Sequence, residues 1–212
     1  MITIVDSGIA NLGSVCSAFQ RVGAPVVVTR DPEVVRGAAA LLLPGVGSFG
    51  DGMASLRRHR LVDPIRDAVD AGVPLLGICL GMQLLADSSE EFGEHQGLGL
   101  IPGRVTRLRP ILDVERVPNI GWCDQTTAPH ATLFGGVPQS ASFYFVHSYH
   151  LVCGEPTDTV GTIGFGGGAI TTAVERGQVF GAQFHPEKSQ DTGLTFLDNF
   201  ANLVRRRSGT NL

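Results

Sequence analysis

Lysine is nearly missing from this chain. Lys188 stands alone among 16 basic residues, set against 20 acidic ones, for a net charge of −4. No basic surplus is left over to hold nucleic acid or an anionic membrane surface. Long apolar runs are missing too, and none approaches the ~18 residues that a membrane span needs. The opening stretch MITIVDSGIANLG lacks the basic-then-apolar layout of a secretory signal. Cysteine is sparse, with Cys16, Cys79, Cys123 and Cys153 scattered and no CxxC pair. That spacing argues against a disulfide framework or a zinc site, and it fits a reducing cytoplasm. Neither a metal nor a cofactor is expected.

What is present suits a folded domain. Of the 212 residues, 43% are hydrophobic and 17% charged, enough apolar material for a sizeable core and too little charge for disorder. The chain shows no internal repeat and no Pro-, Gly- or Ser-rich linker, so one domain over residues 1–212 is expected. The triplet Arg205-Arg206-Arg207 reads as a solvated helix end, where basic side chains suit the dipole.

The first half alternates strand and helix patterns. Strands are expected over Ile2–Val5, Pro25–Val28, Ala40–Leu43 and Val73–Ile78. Helices are expected over Asn11–Val22, from Asp31-Pro32 onward, over Leu61–Ala71 and from Leu80. Such alternation predicts an open, mostly parallel sheet flanked by helices. The second half reads as strands at Arg104–Leu108, Ser142–Val146, Thr159–Ile163, Ala169–Val174 and Val179–Phe184. Glycine turns separate some of them, which predicts an additional antiparallel portion before a last helix over about 192–206.

Three strand ends carry chemistry. In LLGICLGMQLL (Leu75–Leu85), Gly77 and Gly81 flank Cys79 at a spacing of two. That is the pattern of a strand–turn–helix elbow, in which a nucleophile holds a strained backbone and neighbouring chain leaves no room for a Cβ beside it. Taken alone, Cys79 reads equally well as a small apolar filler. In GAQFHPEKSQ, His185 ends an apolar run, Pro186 holds it extended, and Glu187 is expected on the same side of the extended chain as His185. A carboxylate beside an imidazole fixes its tautomer and stabilises its cation, the third role of a catalytic triad. A surface His-x-Glu pair is the plain alternative. In LPGVGSFG, Gly45 and Gly47 can turn backbone N–H groups into a cavity, or form an ordinary glycine-rich turn. No Gly-Lys-Ser/Thr follows, so a phosphate loop is excluded. The ends of the strands in an open α/β sheet face one crevice, and the three together favour Cys79 as nucleophile.

LPGVG, GICLGMQLL and QFHPEKS resemble the class I glutamine amidotransferases, which carry a Cys-His-Glu triad on a flavodoxin-like fold. The stretches Val117–Trp122, Tyr144–Tyr149 and Glu187–Gln190 resemble, more narrowly, the glutaminases of histidine biosynthesis. The resemblance implies that Cys79 attacks the side-chain amide of L-glutamine, His185 moves the proton and Glu187 holds His185. It implies an oxyanion site of backbone N–H groups from Gly45, Val46, Gly47 and Leu80. Substrate contacts are implied at Gln83, Glu91, Ser148 and Tyr149. The family passes ammonia through a shielded path to a (β/α)8-barrel cyclase subunit, its partner in a heterodimer. The cyclase forms imidazole glycerol phosphate and an aminoimidazole carboxamide ribonucleotide. Asn11, Asn119, Trp122, Tyr144 and Lys188 are the implied interface or channel residues. Asn119 and Cys123 depart from the residues common in the family, histidine and asparagine, so the fine structure of that contact is open. Three competing readings are another class I glutaminase such as the pyridoxal phosphate synthase subunit, a stand-alone cysteine hydrolase and a catalytically silent subunit.

Overall fold

In a computed structural model, all residues are described except Ile9, Val114, Ser208 and 210–212. The first half runs β1 (Ile2–Val5), α1 (Leu12–Arg21), β2 (Val26–Thr29), α2 (Pro32–Arg36), β3 (Leu41–Gly45), α3 (Phe49–Arg58), α4 (Val62–Asp70), β4 (Leu75–Cys79) and α5 (Leu80–Leu84). Helix starts follow local chemistry. The side chains of Asn11, Asp31 and Ser48 each accept a backbone N–H in the first turn that follows, and Pro32 occupies the first position of α2. The second half runs β5 (Ala86–Ser89), β6 (His95–Gln96), β7 (Ile101–Arg107), β8 (Asn119–Asp124), β9 (Thr126–Thr127), β10 (Ser142–His147), β11 (Tyr149–Cys153), β12 (Thr159–Phe165), β13 (Gly168–Arg176), β14 (Val179–Ala182) and α6 (Gln190–Arg207).

Among the described residues the main sheet has eight strands in the order β2-β1-β3-β4-β14-β13-β12-β9. The pairs from β2 through β14 are parallel. Those from β14 to β9 are antiparallel. The expected mixture is therefore present, and the antiparallel part extends the parallel sheet. The strand order reverses between β1 and β3, which puts a crevice at the carboxyl ends of those two strands, and β4 ends beside it. A four-stranded sheet, β11-β7-β5-β6, and a two-stranded one, β10-β8, lie beside it.

Strand side chains alternate between two faces, and the core divides accordingly. Ile2, Ile4, Leu42, Leu76 and Ile78 pack with α1, α6 and a phenylalanine group. Val5, Leu41, Leu43 and Leu75 pack with α2, α3, α4, β7 and β11. Phe184 stacks on Phe143 at 4.0 Å and meets Phe196 edge-on at 5.2 Å. It therefore anchors the chain one residue before His185.

Candidate active site

Cys79 closes β4 and caps α5 with φ 54° and ψ −110°, a left-handed backbone on a non-glycine residue. Such a conformation costs on the order of 1–3 kcal/mol and persists only where the surroundings enforce it. The flanking glycines show how it is enforced. A Cβ on Gly81 would lie 1.7 Å from the Leu43 carbonyl oxygen, and one on Gly77 would lie 2.7 Å from the backbone of Gly81. The elbow read from the sequence is thus a packed junction of β3, β4 and α5.

Parallel pairing sets Gly45 level with Cys79. The loop after β3 then turns through Gly47 at φ +103°. On the other side of β4, Ala182 pairs with Ile78, so the chain leaving β14 reaches His185 beside the same strand end. His185 is held there by its N–H, which donates to the Tyr144 carbonyl at 2.9 Å. The Ser189 hydroxyl donates to the His185 carbonyl at 2.7 Å.

His185 Nδ1 and Glu187 Oε1 are 2.8 Å apart, and both side chains are buried. The route to this contact differs from the expected extended chain. His185 itself is extended, but Pro186–Lys188 forms a 3-10 turn that swings Glu187 back to the ring. Burial pulls the His185 imidazole down, whereas the Cys79 sulfur in its thiolate form and the Glu187 carboxylate push it up, and the balance lies at about 9. The thiol is near enough to bias the ring but closes no hydrogen bond with Nε2, which is buried without a partner.

Cys79 and His185 line one cavity of about 280 Å³, together with Val46, Gly47, Leu80, Gln83, Glu91, Ser148 and Tyr149. All of these stand among the residues expected at the site. Of the three nearby glutamates, Glu91 faces the cavity and accepts from the Phe49 N–H at 2.7 Å. Glu90 accepts from the Arg107 N–H, and Glu94 pairs with Arg104. A narrower cavity behind the triad is lined by Asn11, Gly45, Glu187 and Lys188.

Trp122 is about half exposed and meets Tyr144 edge-on at 6.0 Å across the β8–β10 pair. Lys188 Nζ lies 5.9 Å from the centre of the Tyr144 ring. Asn119 points elsewhere. Its Nδ2 lies 3.3 Å from His147 Nε2 and 3.8 Å from Cys123 Sγ. The two departures from the family pattern therefore touch each other. Cys16, Cys123 and Cys153 are half-buried against the apolar clusters, as packing residues would be.

Two site residues carry no assignment from sequence. His147 lines the cavity, and burial lowers its imidazole to about 4. It is neutral near pH 7, so its Nδ1–H donates to the Tyr149 carbonyl at 2.9 Å and its Nε2 accepts from Asn119. Gln183 is fully buried beside Cys79. Each interrupts an apolar pattern in phase with buried neighbours, Phe143 and Phe145 for His147 and the run 179–184 for Gln183. That interruption was the available signal. Among the described residues no group of three or more His, Cys, Asp or Glu side chains gathers as a metal site.

Residues 3–203 match the family described as Glutamine amidotransferase class-I. The chain belongs to this family. A relative from Moorella thermoacetica, named imidazole glycerol phosphate synthase subunit HisH, is 47% identical over 96% of this chain and 95% of its own. One from Sulfurimonas denitrificans with the same name is 45% identical, over 94% and 97%. A solved structure titled as a glutamine amidotransferase superposes with a TM-score of 0.73 over 95% of this chain and all of its own, at 23% identity. PurLQS from Thermotoga maritima gives 0.72 over 96% and 98%, at 19% identity. These two show the fold alone. No helix among the described residues is long and apolar enough to cross a membrane.

Proposed function

We propose that this glutamine amidotransferase is the glutaminase subunit of imidazole glycerol phosphate synthase in histidine biosynthesis, with Cys79, His185 and Glu187 as its triad. The supporting observation is the buried His185–Glu187 contact opening on the same cavity as a strained cysteine.

His185 takes the thiol proton at Nε2 before the attack, and the resulting Cys79 thiolate attacks the carboxamide carbon of glutamine. The tetrahedral intermediate collapses to a glutamyl thioester. The amide nitrogen leaves as ammonia, carrying the proton that His185 returns. A ring poised at about 9 is readily protonated near pH 7, as this second step needs. Glu187 holds the Nδ1 proton and stabilises the imidazolium. Water, deprotonated by His185, then hydrolyses the thioester and releases glutamate. Backbone N–H groups of Val46 and Leu80 carry the oxyanion, a role that Gly45 and Gly47 support by letting the loop approach. Gln83, Glu91, Ser148 and Tyr149 hold the glutamine.

Ammonia released to bulk water is mostly protonated and no longer nucleophilic. A (β/α)8-barrel cyclase subunit therefore receives it directly, past Asn11 and Lys188, docked on Trp122 and Tyr144. Residues 1–212 act as one unit in the cytoplasm. The sheet itself supports that unity, since β14 from the second half sits between β4 and β13. The pyridoxal phosphate synthase alternative has no support among relatives 42–47% identical over nearly the whole chain.

The test is glutamate release with and without the cyclase subunit and its phosphorylated ligand. The proposal expects strong stimulation by the loaded cyclase. Equal turnover without any partner would point to a stand-alone hydrolase.

A further inference from the structure

Gln183 has no apparent reason to be polar. It lies between Ala182 and Phe184, has no exposed surface, and continues a strand whose residues are all buried. An amide in such a place is costly unless its hydrogen bonds are made. The partners it finds are both in the cavity wall. Its Nε2 lies 3.8 Å from Cys79 Sγ, toward which it donates. Its Oε1 accepts from Gln83 Nε2 at 3.0 Å.

The second bond matters because of what else Gln83 does. Gln83 Nε2 also donates to the Tyr149 carbonyl at 2.9 Å. A primary amide has two donor hydrogens, and both are thereby engaged inside the protein. Gln83 is left with Oε1, an acceptor, to offer to the cavity. Rotating its amide by half a turn would set oxygen against two acceptors, Gln183 Oε1 and the Tyr149 carbonyl. The orientation is therefore fixed from behind.

We propose that Gln183 is a positioning residue with two separable effects: its N–H favours the anionic form of the Cys79 sulfur, and its carbonyl locks Gln83 as an acceptor for a donor group of glutamine. This rests on the glutaminase reading above. Parallel register supports the first effect, since Ala182 pairs with Ile78 and so Gln183 stands level with Cys79 on the adjacent strand. The main chain holds it there, with the Gln183 N–H donating to the Thr172 carbonyl at 2.8 Å. Gln183→Glu keeps an acceptor for Gln83 but loses the donor to sulfur. Gln183→Met keeps the volume and loses both.

The experiment measures alkylation of the wild-type protein and both variants by 6-diazo-5-oxo-L-norleucine, a glutamine-mimicking electrophile. It separates KI from kinact, and thermal melts verify folding. Gln183→Glu should lower kinact at least about fivefold, the scale of one hydrogen bond, and leave KI within about threefold. Gln183→Met should lower kinact similarly and raise KI more than about threefold. If Gln183→Glu does not fold, the Gln183→Met result decides. Any other pattern overturns the assignment. Wild-type protein that is never labelled at Cys79 would instead overturn the glutaminase reading itself, so the two failures are distinct.

Discussion

Gly81→Ala is a one-carbon change with a large expected cost. The added Cβ would sit 1.7 Å from the Leu43 carbonyl oxygen and 2.8 Å from its carbon. Both are backbone atoms of β3, so no side-chain rotation relieves the clash. Restoring a normal contact requires β3 and α5 to part by more than about 1 Å, where overpacking a rigid core costs typically ~1–3 kcal/mol and occasionally more. Because the obstacle is backbone, we expect about 3 kcal/mol or more, a large share of the ~5–15 kcal/mol that holds a domain together. Gly164→Ala provides the control. It lies in β12 with nothing within 4 Å of the added carbon, and should change stability by less than about 1 kcal/mol, in the stabilising direction. Urea unfolding of both variants measures the difference. A Gly81→Ala protein within about 1 kcal/mol of wild type would refute the elbow as a packed, strain-enforcing junction.

Three further outcomes are expected. Stability should peak near pH 6.5, because the two buried histidines titrate in opposite directions. The His185 pKa is raised to about 9, so its contribution is complete below about 6.5 and fades as pH climbs through 9. The His147 pKa is lowered to about 4, so the fold weakens as pH falls from about 6.5 toward 4. Each limb is worth at most about 3–4 kcal/mol; urea midpoints across pH should show both, and His147→Asn should shrink the acid limb, to which the half-buried His150 also contributes, while leaving the alkaline limb unchanged. Phe184→Ala should cost about 3–5 kcal/mol, since a fully buried ring in the phenylalanine group is lost beside His185; a calorimetric melt measures it, and a cost below about 1 kcal/mol would contradict the packing. Lys188→Ala should lower the cyclised product formed per glutamine hydrolysed more than it lowers hydrolysis, and an unchanged ratio would remove Lys188 from the transfer path.

The parallel half of the sheet could be read in advance because its strands are short apolar runs separated by helix caps. Cys79 with its two glycines was equally legible, since close backbone approach leaves a mark in residue size. Helix α3 was hidden by Gly50 and Gly52, which look like loop. They sit in a helix because a Cβ at Gly52 would meet Leu84 at 3.1 Å and one at Gly50 would meet His95 at 2.9 Å, and close packing overrides propensity there. Strand β8 was hidden because its burial alternates out of step with its chemistry, with Ile120 and Trp122 at exposed positions and Asn119 and Gly121 at half-buried ones, so no apolar face marks it in the sequence. The His185–Glu187 contact was foreseen with the wrong geometry, since Pro186 begins a tight turn rather than extending the strand. Gln183 and His147 lie inside QFHPEKS and the Tyr144–Tyr149 stretch without an assigned role there, and only three-dimensional neighbours reveal what they touch.

The account stands or falls on a covalent bond between glutamine and the sulfur of Cys79. Acid quenching during steady-state turnover, followed by peptide mass spectrometry, measures it directly. A glutamyl group on the peptide that holds Cys79, absent from Cys79→Ser, is the predicted result. Sustained glutamate release by Cys79→Ser, or an adduct on another residue, would contradict it.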